Sequence, residues 1–305
     1  MSEENFFVNK FLYFQEKNQK DYFYNSLIYI FEHNQQGALG IVMNKVIPIS
    51  ENTIFKSLKI NADVDKKNLL NGGPVDIMII LEAFGTGLIV EPYIPNIVLS
   101  GNLVSKLGSK DQKDAILPNL LNGDMQLAFA FSEPQSRFDL NDVTTAAEKD
   151  GDGYKLNGYK CVVMNGPAAD KLIVSARTAG SQLDENGISL FIVDRETKGV
   201  SLRDYSNVDG SKASELTLED VVLTKDALLG KQDKAFSTIE EVVNLATLAI
   251  SAEAIGIMQK MNELTLEYTK TREQFGQALS QFQALQHRMV DTFMVHEQTK
   301  SLLLM

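Results

Sequence analysis

Residues 267–283 read EYTKTREQFGQALSQFQ, and they join two long segments of apolar periodicity. Upstream, Phe236, Ile239, Val242, Val243, Ala246, Ala249, Ile250, Ile257, Met258, Met261, Leu264 and Tyr268 recur at steps of three, four or seven, which predicts one buried face of a long helix. Downstream, Phe282, Leu285, Met289 and Phe293 repeat that spacing. Gly276 permits a turn between them, and Lys270 and Arg272 stand where cations favour a helix C-terminus. Two readings of Arg272 remain open at this point. In one it caps a helix of an antiparallel helical hairpin. In the other its planar guanidinium is a fork for a phosphate, with Gln274, Phe275 and Gln283 around it.

The chain has 305 residues, enough for two or three domains, and 44% of them are apolar, enough for real cores. Its net charge of -11 argues against a nucleic-acid groove, which needs a surplus of Lys and Arg on one face. A small anionic ligand held by a few residues is compatible with that charge. The start, Met1-Ser2-Glu3-Glu4, is acidic and lacks the basic-then-apolar order of a signal peptide. The longest apolar stretch, residues 77–90, is interrupted by Glu82 and two glycines and is too short to span a bilayer, so no membrane contact is expected. Cys161 is the only cysteine, which excludes a disulfide framework and fits a reducing cytoplasm. His33, His287 and His296 are too scattered for a metal site and read as surface or packing residues.

Along the chain, residues 1–75 have a character of their own. Strands are expected at 11–14, at 26–31 in the middle of a sheet, and at 38–43, with turn chemistry at 32–37 and a short helix at 50–58. From Asp76 the pattern is helical over 77–84, 94–107 and 111–121, the last opened by Ser109-Lys110-Asp111-Gln112 at the spacing of a capping box. The period changes near Met125. A strand is expected at 127–131, and a hairpin at 144–156 around Asp150-Gly151-Asp152-Gly153. Asn157-Gly158 reads as a further turn into 159–164, with strands after it at 171–176, 189–193, 200–204 and 213–222. Such short strands make an antiparallel sandwich or barrel. The expected fold is therefore α+β and multidomain: a partial α/β segment (1–75), a partial helical domain (76–125), an antiparallel β-barrel (126–232) and an incomplete helical bundle (233–305). No Gly-x-Gly-x-x-Gly follows a strand, and there is no Gly-x-Ser-x-Gly elbow or P-loop.

Two family resemblances carry the functional reading. Ser26-x-Ile28-Tyr29-Ile30-x-Glu32-His33-Asn34-x-x-Gly37-Ala38-x-Gly40-x-Val42-x-Asn44-Lys45, with Gly72-Gly73-Pro74-Val75 after it, resembles the YqgE/AlgH family and implies a regulatory or binding protein without catalysis. That resemblance ends near Val75. Residues 72–305 resemble an acyl-CoA dehydrogenase, through Ala130-Phe131-Ser132-Glu133-Pro134, Gly151-Asp152-Gly153-Tyr154-x-Leu156-Asn157-Gly158-x-Lys160, Asn165-Gly166, Tyr268-x-Lys270-x-Arg272-x-Gln274-Phe275-Gly276 and Phe282-Gln283. Glu91-Pro92-Tyr93 and the run from Ser132 to Asp139 further resemble the pimeloyl-CoA dehydrogenase small-subunit branch.

The dehydrogenase resemblance implies an FAD enzyme that oxidises the α,β bond of an acyl-CoA and passes electrons to electron-transfer flavoprotein, as a homo- or hetero-oligomer with another dehydrogenase subunit. It implies that Phe129, Phe131 and Ser132 line one side of the isoalloxazine and that Val162, Val163 and Met164 cover the other. It places Arg272, Gln274, Phe275 and Gln283 at the pyrophosphate and adenosine, across a subunit interface. Val162 and Met164 stand where many relatives have an aromatic residue and a threonine, and Gln135-Ser136-Arg137-Phe138 replaces their Gly- and Ser-rich loop. The catalytic base has no counterpart here: Ala246 occupies one family position for it and the other lies beyond Met305. Glu241 and Glu253 read as solvated or interfacial helix carboxylates. The family's first helices and half of its last bundle are expected to be missing, leaving apolar faces on the closing hairpin that seek a partner.

Overall fold

The computed structural model describes residues 10–14, 26–34, 37–42 and 73–304. The chain divides into two compact units, residues 1–77 and 78–305. In the first, strands β1 (Lys10–Phe14), β2 (Ser26–Asn34) and β3 (Gly37–Val42) form an antiparallel sheet in the order β1-β2-β3. The apolar strand is central, as its composition predicts. It runs further than expected: Glu32, His33 and Asn34 pair with Leu39, Ala38 and Gly37 instead of turning. An irregularity between Ile30 and Glu32 absorbs one residue and lets the polar end stay in the ladder. The helix expected at 50–58 lies outside the described residues.

The second unit holds most of helix α1 (Pro74–Gly87). A π-helical turn, Ile94–Gly101, follows and runs into α2 (Asn102–Leu107), where a single regular helix was expected. Ser100 Oγ donates to the Pro95 carbonyl at 2.7 Å and Asn102 Nδ2 to the Val98 carbonyl at 2.9 Å, so side chains stabilise the widened turn. Helix α3 (Lys110–Asn122) opens with the predicted reciprocal cap: Ser109 Oγ accepts from the Gln112 N–H at 3.2 Å, and Gln112 Oε1 accepts from the Ser109 N–H at 2.9 Å. Gly123 closes it at φ +80°, the left-handed C-cap.

Eight strands follow: β4 (Leu127–Ala130), β5 (Ala146–Asp150), β6 (Gly153–Met164), β7 (Lys171–Arg177), β8 (Ile188–Asp194), β9 (Val200–Ser206), β10 (Lys212–Leu223) and β11 (Leu228–Leu229). They form one sheet in the order β11-β8-β7-β5-β6-β10-β9, with β4 added parallel to β7. The predicted strands are all present, but the sheet is not closed into a barrel. Its end strands β9 and β11 do not pair; β11 is two residues long and engages only β8, and β5 meets β7 through the single pair Ala146↔Arg177. The sheet nevertheless folds around one core. Tyr154 of β6 and Phe191 of β8 meet edge to face at 4.9 Å although two strands separate them along the ladder. Strand β7 is buried on both sides: Leu172 and Val174 enter that core, and Ile173 enters a second one with Leu103, Ile116, Leu127, Phe129, Ile239 and Val242. Asn96, buried on the π-helical turn, accepts the Leu127 N–H at 2.8 Å through Oδ1 and so joins the helical layer to the first sheet strand.

Asn157-Gly158 does not turn the chain. Strand β6 passes straight through it, and opposite Asn157 the partner β10 bulges, with Asp220 at φ +47°. Asn157 Oδ1 takes the Asp220 N–H at 2.8 Å, and a Cβ at Gly158 would lie 2.5 Å from Thr145 Oγ1, so this pair marks a bulge and a close approach.

The chain closes with α4 (Phe236–Thr271), a two-residue β-hairpin of β12 (Glu273–Gln274) and β13 (Gln277–Ala278), and α5 (Gln283–Leu303). The hairpin of helices is as predicted; its single buried face is not. Ile239, Val242, Ala246, Ala249, Ala252 and Ile255 are buried, while Ile250, Met261, Leu264, Tyr268 and, on α5, Phe293 are exposed. The N-terminal half of α4 packs on the sheet and helices; beyond the α1 contact at Gly256 and Ile257, the C-terminal half packs against α5 and the turn. By length and composition alone α4 is also apolar enough to cross a membrane, but its Ile239 and Val242 belong to the second core. Where α4 crosses α1 the two backbones touch: a Cβ on Gly85 would lie 2.0 Å from the Glu253 carbonyl oxygen, and one on Gly256 2.0 Å from that of Glu82.

Candidate functional site

The sequence-predicted residues gather in two clusters. In the first, the end of β4 lies beside the end of β6. Phe129 and Phe131 stack at 4.8 Å, the Cys161 N–H donates to the Ser132 carbonyl at 2.9 Å, and Ser132 Oγ and Cys161 Sγ are 3.6 Å apart. Asn165 Nδ2 reaches the Leu127 carbonyl at 3.1 Å. Strand β6 bulges here, since Ser214 faces Val163 and Leu216 faces Lys160, two residues against three steps. Val162 sits in that bulge at φ +52° and is 50% exposed. A β-branched residue in the left-handed region costs about 1–2 kcal/mol, and such strain concentrates where a surface has a task. Phe129 and Val163 are buried in the two cores, so their side chains shape this surface from within. Phe131, Ser132 and Met164 are half-buried, and Met164 Sδ accepts from Asn207 Nδ2 at 3.8 Å.

Beneath this edge lies a pair whose roles the sequence reading did not assign. Lys160 and Glu133 are fully buried and 2.7 Å apart. Lys160 Nζ also donates to Ser175 Oγ at 3.0 Å and toward the Phe131 carbonyl at 3.5 Å. Glu133 accepts the N–H groups of Thr144 and Thr145 at 2.9 and 3.0 Å, the Thr144 hydroxyl, and Gln135 Nε2 at 2.9 Å. Burial pushes the Glu133 carboxyl up, but the Lys160 charge and these hydrogen bonds outweigh it and hold the group near 2. Burial pulls the Lys160 ammonium below the usual lysine range against the opposing pull of Glu133. The available signal was phase: Lys160 shares the alternation of the buried Tyr154 and Leu156 on β6.

The second cluster is the turn between α4 and α5. The Arg272 N–H caps the Tyr268 carbonyl at 2.9 Å, and the Leu279 N–H returns to the Arg272 carbonyl at 2.8 Å. Gln274 pairs with Gln277 across Phe275 and Gly276, both left-handed at φ +55° and +78°, as a tight two-residue hairpin turn requires. Phe275 is 93% exposed and makes only an edge contact with Phe282. Gln274 and Gln283 are exposed as well. Among the described residues the Arg272 guanidinium has no hydrogen-bond or ion-pair partner, although the Arg272 backbone caps the helix. The main chain of Arg272 thus closes the helix, while its side chain is left unpaired. Among the described residues no hydrogen bond, ion pair or ring contact links the two clusters.

Ala246 is buried and brings no carboxylate. Glu241 is exposed and bonds Lys106 at 2.7 Å, and Glu253 is half-buried, its carboxyl raised by burial and by Asp209. His296 packs into the interior while His287 is exposed. Among the described residues no group of three or more His, Cys, Asp or Glu side chains is arranged to hold a metal. Two surface clefts around residues 177–187 share no residue with either cluster.

The folded sheet behind a short helical layer, followed by the long helical hairpin, is similar to acyl-CoA dehydrogenase folds. Residues 128–221 match the middle domain of acyl-CoA dehydrogenases and residues 234–304 their C-terminal domain. Residues 11–104 match the AlgH-like family, so that likeness runs past Val75, where the sequence reading ended it. The chain is 34% identical over 200 residues to a 3-(aryl)acrylate reductase of Clostridium sporogenes, a stretch covering 65% of this chain and 52% of the relative. The butyryl-CoA dehydrogenase of Megasphaera elsdenii superposes with a TM-score of 0.68 at 28% identity, over 75% of this chain and 60% of that one. The FAD complex of PigA superposes at 0.71 with 26% identity, over 76% and 62%. The chain spans about half the length of the curated relatives it matches.

Proposed function

We propose that this chain is a subunit of an FAD-dependent acyl-CoA dehydrogenase, which removes one hydrogen from each of the α and β carbons of an acyl-CoA thioester. The observation that carries this reading is the juxtaposition of Ser132 with the strained, half-exposed Val162, together with the unpaired Arg272. The matches to two dehydrogenase domains and the likeness to butyryl-CoA dehydrogenase and to an FAD-bound neighbour support it. FAD, when bound, supplies the hydride-accepting chemistry.

The residues present fit that group. The Ser132 hydroxyl offers a hydrogen bond to the flavin edge, Phe131 lines it, and Val162 and Met164 cover the opposite side, with Phe129 and Val163 holding these segments from the cores. Arg272 is the local cation that a diphosphate needs on a chain of net charge -11. With Gln274, Phe275 and Gln283 it meets the pyrophosphate and adenosine of a cofactor seated on a neighbouring protomer. Because Ala246 has no proton-accepting side chain, the reading includes a second dehydrogenase subunit in the assembly. Electron-transfer flavoprotein as acceptor, a substrate of the pimeloyl-CoA kind and a cytoplasmic location complete it.

Purification tests this directly. A yellow protein whose flavin absorbance survives gel filtration supports the assignment, and a colourless protein that stays colourless after incubation with excess FAD refutes it. The AlgH-like match over residues 11–104 favours a second reading, a regulatory or binding protein without catalysis, for which the folded but colourless outcome is the expected one.

A further inference from the structure

We propose that the buried Glu133–Lys160 pair is the positioning element of the flavin-facing edge: it locks the end of β4 against the bulge of β6, so that Ser132 and Val162 are presented together. This rests on the FAD reading above, but it concerns contacts within the chain.

The sheet itself does not make that connection. Strand β4 is laddered only to β7, and between its end and β6 there are a few individual bonds. One is Cys161 N–H to the Ser132 carbonyl, a second joins Ser132 Oγ and Cys161 Sγ, and the others come from the ion pair. Glu133 is the residue after Ser132, and Lys160 is two before Val162. Both turn inward to full burial while Ser132 and Val162 keep exposed surface. The Lys160 ammonium ties β6 to two further segments: the end of β4, through Glu133 and the Phe131 carbonyl, and β7, through Ser175. The Glu133 carboxylate then gathers a fourth, the chain entering β5, through the Thr144 and Thr145 amides.

A buried ion pair is a weak source of stability, because apolar residues of similar volume replace it at little cost. What it supplies here is direction: every bond in the network fixes the relative placement of four segments. The left-handed Val162 next to it needs that support, since strained backbone persists only where its surroundings over-determine it.

The test compares the wild-type chain with the double variant Glu133→Gln/Lys160→Met, which removes both charges and keeps volume and one acceptor oxygen. Hydrogen exchange of the Cys161 amide, followed in the cofactor-free protein, is expected to speed up about tenfold or more, and the dissociation constant for FAD to rise by at least about tenfold. Far-UV circular dichroism is expected to stay unchanged. A double variant with wild-type Cys161 protection overturns the proposal whether or not FAD binds. Failure of the wild-type chain to bind FAD sinks the cofactor reading alone, because the exchange measurement still decides the positioning. If the double variant does not fold, Ser175→Ala takes its place: it spares the charges and loosens Lys160. It is expected to accelerate Cys161 exchange about threefold, and unchanged protection refutes the idea.

Discussion

Gly256→Ala sets two effects of opposite sign against each other. Gly256 lies inside α4, where alanine is favoured over glycine by about 1 kcal/mol from helix propensity alone. At this position, however, the new Cβ would lie 2.0 Å from the Glu82 carbonyl oxygen and 2.7 Å from the Thr86 amide nitrogen, both backbone atoms of α1. The contact must open from 2.0 Å to at least 3.0 Å, and no side-chain rotation can relieve it. Gly85 faces Glu253 and Ile257 in the same way, so both helices must move as bodies. Overpacking of this kind costs up to about 3 kcal/mol, which leaves a net loss of about 2 kcal/mol and a fall in melting temperature of roughly 4–8 °C. Gly87→Ala is the control, since its Cβ would meet only Ile89 side-chain atoms at 3.4 Å and beyond. Thermal melts of the full chain followed at 222 nm compare the three proteins. A Gly256→Ala melt at or above the wild-type temperature would mean that helix propensity wins and that the α1–α4 crossing is not backbone to backbone.

Acid should probe the Glu133–Lys160 pair. The Glu133 carboxyl lies near 2 in the folded chain against 4.5 for the free group, so its stabilising contribution is complete above 4.5 and is lost as pH falls from there toward 2. Urea midpoints between pH 6 and 2.5 are expected to fall more steeply for the wild-type chain than for Glu133→Gln/Lys160→Met; parallel curves contradict the ion pair. Arg272→Ala is expected to lower the flavin retained after gel filtration while far-UV circular dichroism stays intact, and unchanged flavin content removes the pyrophosphate role. Phe275→Gly releases left-handed strain of about 1–2 kcal/mol at an exposed turn, so it should raise the melting temperature while weakening FAD retention. A lower melting temperature would show that the Phe275 ring supports the turn.

Local signals in the chain were legible because their causes are local. The Ser109/Gln112 cap, the turn at 150–153 and the hairpin of helices around Gly276 depend on residues close in sequence, and each is found where the pattern places it. The strands of the sheet follow from short apolar or alternating runs bounded by turn residues. What the pattern does not contain is the partner. Met261 and Leu264 have the same periodicity as Ile239 and Val242, yet only the latter pair meets the core, because periodicity defines a face and says nothing of what lies opposite. Barrel closure depends on whether strands distant in sequence meet, and a two-residue β11 cannot provide that edge. Gly85 looked like an interruption of an apolar run; its reason is a helix some 170 residues away. Within the site, the residues around Ser132 and Val162 were named from resemblance, while the ion pair that ties them was passed over, because a lysine and a glutamate in a motif give no sign that they will be buried against each other.

The Asn96 amide has an influence out of proportion to its size. Its oxygen receives the very first N–H of β4, so the helical layer supplies the opening rung of a ladder that the neighbouring strand then continues. Sliding β4 by a single residue would strand that N–H and exchange inward for outward along the whole strand. The phase of the Leu127-Ala128-Phe129-Ala130 run, and with it the side on which Phe129 emerges, is thus set jointly by a helix and by the adjoining strand.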